Sequence, residues 1–370
     1  MAGFNDNAGG GDLSKVTKEV WKNNCFPEWG RWLNDEIEDT IVPENNFAMW
    51  WLGCTGIWLK TPGDANICID LWLGTGKRSK RDWDFPYSQG KKFQMYRMNG
   101  GPSYQPNTRT VPMVIDPYEI KKIDAVLSTH FHRDHIDQYV AAAICQNFED
   151  VPFIGPKFSC DIWREWGVPE ERIREIRPGD EICIKDMKIT AVDSFDRTAL
   201  ITCPAPEDSK GICPTDMDDR AVNYVIETPG GTLYHSGDSH FSNGYFEHGK
   251  RYKIDVALAS FGENPPGLTD KMTSADVLRM AENLNTKVVI PFHYDIWCNM
   301  LADPSEIEYL YQFKEPRLNY QFKVYIWQVG GQYMYPRDKD RKRFMFDRGF
   351  HDAFTDEPNI PFKEKIKKTN

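Results

Sequence analysis

No apolar run in this 370-residue chain is long enough to cross a bilayer. The longest, Phe47 to Leu59 (FAMWWLGCTGIWL), is broken by two glycines and a threonine and falls short of the roughly 20 residues that a membrane helix needs. No membrane partner is expected. Positive charge is also in deficit, since 45 Lys and Arg stand against 55 Asp and Glu for a net charge of −10. Affinity for nucleic acid comes largely from Lys and Arg neutralising phosphates, so no nucleic-acid partner is expected either. The nine cysteines are odd in number, scattered, and never arranged as C-x-x-C, which speaks against a disulfide frame or a structural zinc site and fits reduced, buried or incidental thiols in the cytoplasm. The start of the chain has no apolar core of a secretion signal, and residues 1–13 read as a flexible lead-in.

What is present is an ordinary globular composition, 40% hydrophobic and 13% aromatic, able to bury a sizeable core. A helix is expected from about Glu28 to Asp39, followed by two apolar runs, the Trp-rich one and Asn66 to Leu71, that read as opening strands. Residues 77–110 are polar and punctuated and read as a long loop excursion. Beyond them apolar runs, polar loops and helical patterns alternate, which marks an α/β layered fold. Strands are expected at Ile123 to Thr129 and at VPFI, EICI, MKITAV, VNYVIE, TLYH, IDVALAS and KVVIPF, with a helix at Asp137 to Asn147. Thr273 and Asp276 form a capping-box start for another helix, whose apolar face is Val277, Met280, Ala281 and Leu284. Residues 363–370 read as a solvated basic tail.

The chemistry concentrates in Thr129 to Asp137, THFHRDHID. Here His130, His132, Asp134 and His135 form H-x-H-x-D-H directly after an apolar strand, in a chain with only 8 histidines. Residues i and i+2 of an extended backbone project to one side, so His130 and His132 can reach one metal ion. Asp134 and His135, beyond a turn, can serve a second ion a few ångströms away. Two later strands end in TLYHSGDSH and KVVIPFHYD, and ligands gather at the carboxyl ends of strands in α/β sheets. Asp238, in a Gly-flanked turn, is the candidate bridging carboxylate, with one oxygen on each ion, and His293 the remaining imidazole. His235 should face away from Asp238 and pack.

This combination resembles the metallo-β-lactamase superfamily, which implies an αββα four-layer sandwich over residues 14–362 as a single domain. Whole phrases, among them FPEWGRWLNDEIE, FDRTALIT, MDDRAVNY, GENPPGLTDKMTSAD and PFHYDIW, are similar to the L-ascorbate-6-phosphate lactonase branch of that superfamily. The resemblance implies a metal-dependent hydrolase that opens the lactone of L-ascorbate 6-phosphate to 3-keto-L-gulonate 6-phosphate, with a small phosphorylated sugar-acid lactone as partner and self-assembly into a homo-oligomer. The broad superfamily carries a ligand histidine after the strand MKITAV, where this chain reads Asp193-Ser-Phe-Asp196-Arg197. Asp193 or Asp196 as an oxygen ligand, the choice left open, would tilt the site from zinc toward manganese, with one or two ions per chain.

In the implied mechanism Asp134 or Asp238 orients the attacking water and takes its proton, and His240 protonates the leaving oxygen or contacts substrate. Arg197 and Arg220 are the expected phosphate clamps, with Lys271 as a third cation and Tyr294 lining the pocket; for each arginine the alternative is an ion pair with Asp196 or Asp219. Two other readings compete: a phosphodiesterase or ribonuclease of the same fold, and a catalytically silent metal-binding protein.

Overall fold

The computed structural model describes residues 12–25, 29–74, 109, 111–201, 216–262, 271–296 and 302–344. Nearly all of the 77–110 excursion and the basic tail lie outside the described residues. At the start of the chain the side chain of Asp12 caps the short turn Leu13–Lys15, and Leu13 is buried rather than part of a free lead-in.

Two seven-stranded sheets make the framework. The first is built from β1 (Phe47–Gly53), β2 (Gly56–Lys60), β3 (Asn66–Ile69), β4 (Ala125–Leu127), β5 (Phe153–Gly155) and β6 (Ile173–Glu175), in that order. The second runs through β7 (Glu181–Ile184), β8 (Met187–Asp193), β9 (Val222–Thr228), β10 (Gly231–His235), β11 (Val256–Ser260), β12 (Val288–Phe292) and β13 (Lys323–Val324). A last strand, β14 (Gln332–Tyr335), returns to pair with β1 and close the edge of the first sheet. Each sheet is antiparallel in its earlier strands and parallel in its later ones.

The parallel strands carry almost unbroken apolar runs, because both faces of a parallel sheet are covered. β11 and β12 are buried along their whole length, as are β3, β4 and β5. The helix Lys157–Trp166 packs on β5 and β6, and the helix Ser274–Leu284 on β11 and β12, which with the two sheets gives the αββα layering. The expected capping box at Thr273 and Asp276 is formed, and Val277, Met280, Ala281 and Leu284 have no exposed surface. The Trp-rich run folds as the β1–β2 hairpin, with Trp50, Trp51 and Trp58 buried. The helix expected from about Glu28 is shorter, Trp32–Asp39, because Trp29 and Gly30 form a turn and Gly30 takes the left-handed φ of +55°, and another helix, Lys18–Asn24, precedes it.

Candidate metal centre

The centre lies where strand ends of both sheets meet. The segment after β4 is stitched to the second sheet: Val222 N–H donates to the Thr129 carbonyl at 2.8 Å, and His130 forms a bridge with Ala221. Asp238 follows β10 across a turn in which Gly237 has φ +50° and so close an approach that a Cβ there would lie 2.8 Å from Thr129 Oγ1. Only glycine fits that contact. His293 follows β12, and its backbone N–H donates to the Cys54 carbonyl in the β1–β2 turn at 3.1 Å.

Two groups of donor atoms result. His130 Nε2 and His132 Nδ1 are 2.9 Å apart, and Asp196 Oδ2 is 3.7 Å from His130 Nε2. In the second group Asp134 Oδ2 lies 3.6 Å from His135 Nε2 and 3.8 Å from His293 Nε2, with the Cys54 sulfur 3.7 Å from the same carboxylate. Within each group the ligand-type atoms lie within 4.8 Å of one another. Asp238 stands between the groups: Oδ2 is 3.3 Å from His135 Nε2 and 3.9 Å from His130 Nε2, and Oδ1 is 3.2 Å from His293 Nε2.

The surrounding hydrogen bonds fix which ring nitrogens face the centre. Asp70, fully buried at the end of β3, accepts from Thr129 N–H (2.7 Å), Thr129 Oγ1 (2.6 Å) and Thr55 Oγ1 (2.7 Å). It also lies 3.1 Å from His135 Nδ1. A carboxylate only accepts, so a proton sits on His135 Nδ1, and Nε2 is the nitrogen turned toward the centre, beside the Asp238 and Asp134 carboxylates. Thr129 gives its hydroxyl proton to Asp70 and therefore accepts from His130 Nδ1 at 3.0 Å, which leaves His130 Nε2 bare. Burial pushes His130 down to about 3 and, aided by the charge of His130, His132 down to about 4, so both stay neutral. At His135 burial acts the same way, but the Asp238 and Asp134 carboxylates outweigh it and hold the ring well above its ordinary value. Burial, then the Asp134 charge, pushes the Cys54 thiol well up.

This donor set fits divalent cations. Asp70, Asp196 and Asp238 are 0%, 1% and 4% exposed, and Asp238 has one buried cation beside it, Lys271, at 2.5 Å. Buried carboxylates without compensating charge cost several kcal/mol each. Among the described residues His135 Nε2, His293 Nε2 and Asp196 Oδ2 are buried without a hydrogen-bond partner, although buried polar atoms are almost always satisfied. Positive charge at the centre would answer both.

Several residues sit otherwise than the sequence suggests. Of the two open aspartates, Asp196 reaches the centre, its Oδ1 held by Thr198 and Ala199 N–H. Asp193 does not: its side chain is 68% exposed, 3.6 Å from His248. Arg220, expected as a phosphate clamp, is fully buried, donates to the Ala199 carbonyl at 2.8 Å and lies over the Phe158 ring. It braces the helix Arg197–Ile201 instead, and Asp219 pairs with Arg177. Lys271 is a buried partner of Asp238 rather than a pocket cation. Tyr294 is buried against Trp51 and donates its hydroxyl to the Trp327 carbonyl, so it packs the core. Arg197 is exposed and, with Asp196, Leu200, Phe241, Ser242 and Asn243, lines an open cavity of about 520 Å³. His240 is buried; its Nδ1 accepts from Arg197 N–H at 3.2 Å, which leaves the proton on an unpartnered Nε2. His235 donates to the Thr55 carbonyl and accepts from Gly237 N–H, so neither nitrogen is available.

Asp70, Cys54, Thr55 and Thr129 are the residues that sequence reasoning missed. Asp70 had a signal, an aspartate closing an apolar strand as Asp238 nearly does. Cys54 had only its place in a tight turn.

Comparison with known proteins agrees with this geometry. The beta-lactamase superfamily domain matches residues 98–294. Curated relatives named "Probable L-ascorbate-6-phosphate lactonase UlaG", from Escherichia coli O127:H6 and from Escherichia fergusonii, are each 58% identical over 352 residues, covering 95% of this chain and 98% of the relative. Among solved structures, the metallo hydrolase Igni18 of Ignicoccus hospitalis aligns with a TM-score of 0.53 at 17% identity, over 78% of this chain and 98% of that one. The isothiocyanate hydrolase from Delia radicum gut bacteria aligns at 0.55 and 18%, over 77% and 98%; at such identities the likeness shows the fold. Identity this high along nearly the whole chain places it in the L-ascorbate-6-phosphate lactonase family of the metallo-β-lactamase superfamily.

Proposed function

We propose that this chain is a metal-dependent lactonase that hydrolyses L-ascorbate 6-phosphate to 3-keto-L-gulonate 6-phosphate by adding water across the ring ester. The observation that carries this reading is the convergence of His130, His132, Asp134, His135, Asp196, Asp238 and His293 on one buried centre beside a cavity rimmed by Arg197. In this reading those seven residues would hold one or two divalent cations, Asp238 lying within reach of both groups. A cation bound there would supply a Lewis acid and bring the pKa of water toward neutrality. Asp196 in place of a third imidazole favours manganese over zinc.

The chain's own groups divide the remaining work. Asp134 is the most accessible of the site carboxylates, 22% exposed against 4% for Asp238, and is not tied to a lysine. It orients the incoming water and accepts its proton. His240, with its proton on Nε2, donates to the ring oxygen as the ester opens or holds the substrate hydroxyls. Arg197 offers a fork to the 6-phosphate, with Ser242 and Asn243 on the same wall. Cytoplasmic residence and self-association belong to the same proposal. The first follows from a phosphorylated catabolic substrate, and the second is supported by Tyr309 and Phe313, one helical turn apart and 70% and 73% exposed.

The test is to strip the purified protein with chelator, add back manganese or zinc, and follow ascorbate 6-phosphate, with unphosphorylated ascorbate as control. Activity should appear only with metal and strongly favour the phosphorylated compound. Arg197→Ala should raise KM for it about 10- to 100-fold, the worth of a charge-assisted hydrogen bond. Equal rates of wild type on both compounds would remove the role given to Arg197.

A further inference from the structure

The β1–β2 turn is held more firmly than a hairpin tip requires. Cys54 is fully buried and has φ +49°, a conformation that costs a non-glycine residue of order 1 kcal/mol or more. Its carbonyl accepts from the Trp51 indole N–H at 2.8 Å and from His293 N–H at 3.1 Å. The next residue, Thr55, is bound through its hydroxyl to Asp70 and through its carbonyl to His235. One turn of the first sheet is thus fastened to the end of β10 and to the residues that follow β3 and β12. The fastening delivers a sulfur to the centre: Cys54 Sγ is 3.7 Å from Asp134 Oδ2 and within 4.8 Å of ring nitrogens of His135 and His293. Two of those nitrogens, His135 Nε2 and His293 Nε2, are buried and have no hydrogen-bond partner among the described residues, an independent sign that this pocket is shaped for a cation.

We infer that Cys54 is a sulfur ligand of the second cation position, beside Asp134, His135 and His293, and makes that position selective for a thiophilic divalent ion such as Zn²⁺ or Co²⁺. Thiolate ligands favour these ions, whereas carboxylate and water suit manganese. Among the described residues the position of His130, His132 and Asp196 has no sulfur, so the two halves of the centre differ in softness. As the bond from Sγ to the cation forms, the S–H bond breaks and one proton leaves to solvent; no electrons are transferred. The inference rests on the reading of this cluster as a metal centre.

The experiment titrates metal-free, full-length protein with Co²⁺ and records its absorption spectrum. Wild type should show an intense near-ultraviolet thiolate-to-cobalt band together with the weaker visible bands of nitrogen- and oxygen-bound cobalt. Cys54→Ser should lose the first and keep the second. Its Zn²⁺ affinity should fall about tenfold or more while Mn²⁺ affinity moves less than about threefold, because only the soft ion depends on sulfur. A merely structural role for the turn would weaken both ions alike. Visible bands without the thiolate band in wild type, a measurement that needs no variant, would overturn the role of Cys54 and leave the metal centre standing. No cobalt bands at all would overturn both.

Discussion

The histidines of one short motif fall into both groups of donors in the centre and treat protons in opposite ways. His130 and His132 lie five and three residues before His135, yet burial drives them to about 3 and 4 while His135 is held well above its ordinary value. The difference is which carboxylates stand near. His135 has Asp238 at 3.3 Å, Asp134 at 3.6 Å and Asp70 at 3.1 Å, whereas the carboxylates nearest His130 are 3.7 and 3.9 Å away. His135 takes the proton by hydrogen bonding to Asp238 and Asp134, and its charge then adds to burial in keeping His130 neutral. Protonation along one short motif is therefore written by elements far away in sequence.

The largest break in this comparison should come from Asp238→Ala, which removes the carboxylate common to both groups. Metal content should drop at both positions, and lactonase activity by on the order of 10³-fold or more, the scale lost when a central electrostatic group is deleted. Retention of full metal content by elemental analysis would show that the groups do not share Asp238. A smaller effect is expected from Asp70→Asn, which touches no cation in our reading but sets the tautomers of His135 and, through Thr129, His130. Metal affinity should fall about 10- to 100-fold, as for other groups that orient ligand histidines. An unchanged affinity measured by competition with a chelating dye would contradict that role.

The mildest effect is a pH dependence of the metal-free protein, and it sharpens the contrast. A histidine depressed in the folded state takes up a proton less readily than in the unfolded chain. His130 and His132 thus contribute stability that is complete above their ordinary 6.5 and is lost as pH falls toward about 3 and 4. The slope is about 1.4 kcal/mol per pH unit for each group. His135 has the opposite sign, contributing stability below 6.5 that is lost as pH rises through its raised value. Urea unfolding at a series of pH values should therefore show His132→Gln flattening the acid side and His135→Gln the alkaline side. If both variants flatten the same side, the assignment of opposite proton affinities is wrong.

Much of the fold was legible because strand and helix periodicities are local. The runs NICIDL, EICI, VNYVIE and KVVIPF all form strands, and the Thr273 cap starts a helix where expected. The return of β14 to β1 was not legible, since pairing partners nearly 300 residues apart leave no mark on either segment. At the site, the spacing of His130, His132, Asp134 and His135 announced a metal centre. The basic and aromatic candidates were less well read: Arg220, Lys271 and Tyr294 have suitable chemistry, but all are buried and already engaged by Ala199, Asp238 and Trp327.

The sequence by itself determined the α/β layering and the local cluster of imidazoles and carboxylates after β4, because both depend on residues within a turn or two of one another. Only the tertiary structure decided that Asp70 orients two of those imidazoles, that Cys54 stands beside the second group, and that Arg197 rather than Arg220 faces the cavity. Burial and approach distance are set by strand register and by which turns of the two sheets meet, quantities that no short window of residues contains.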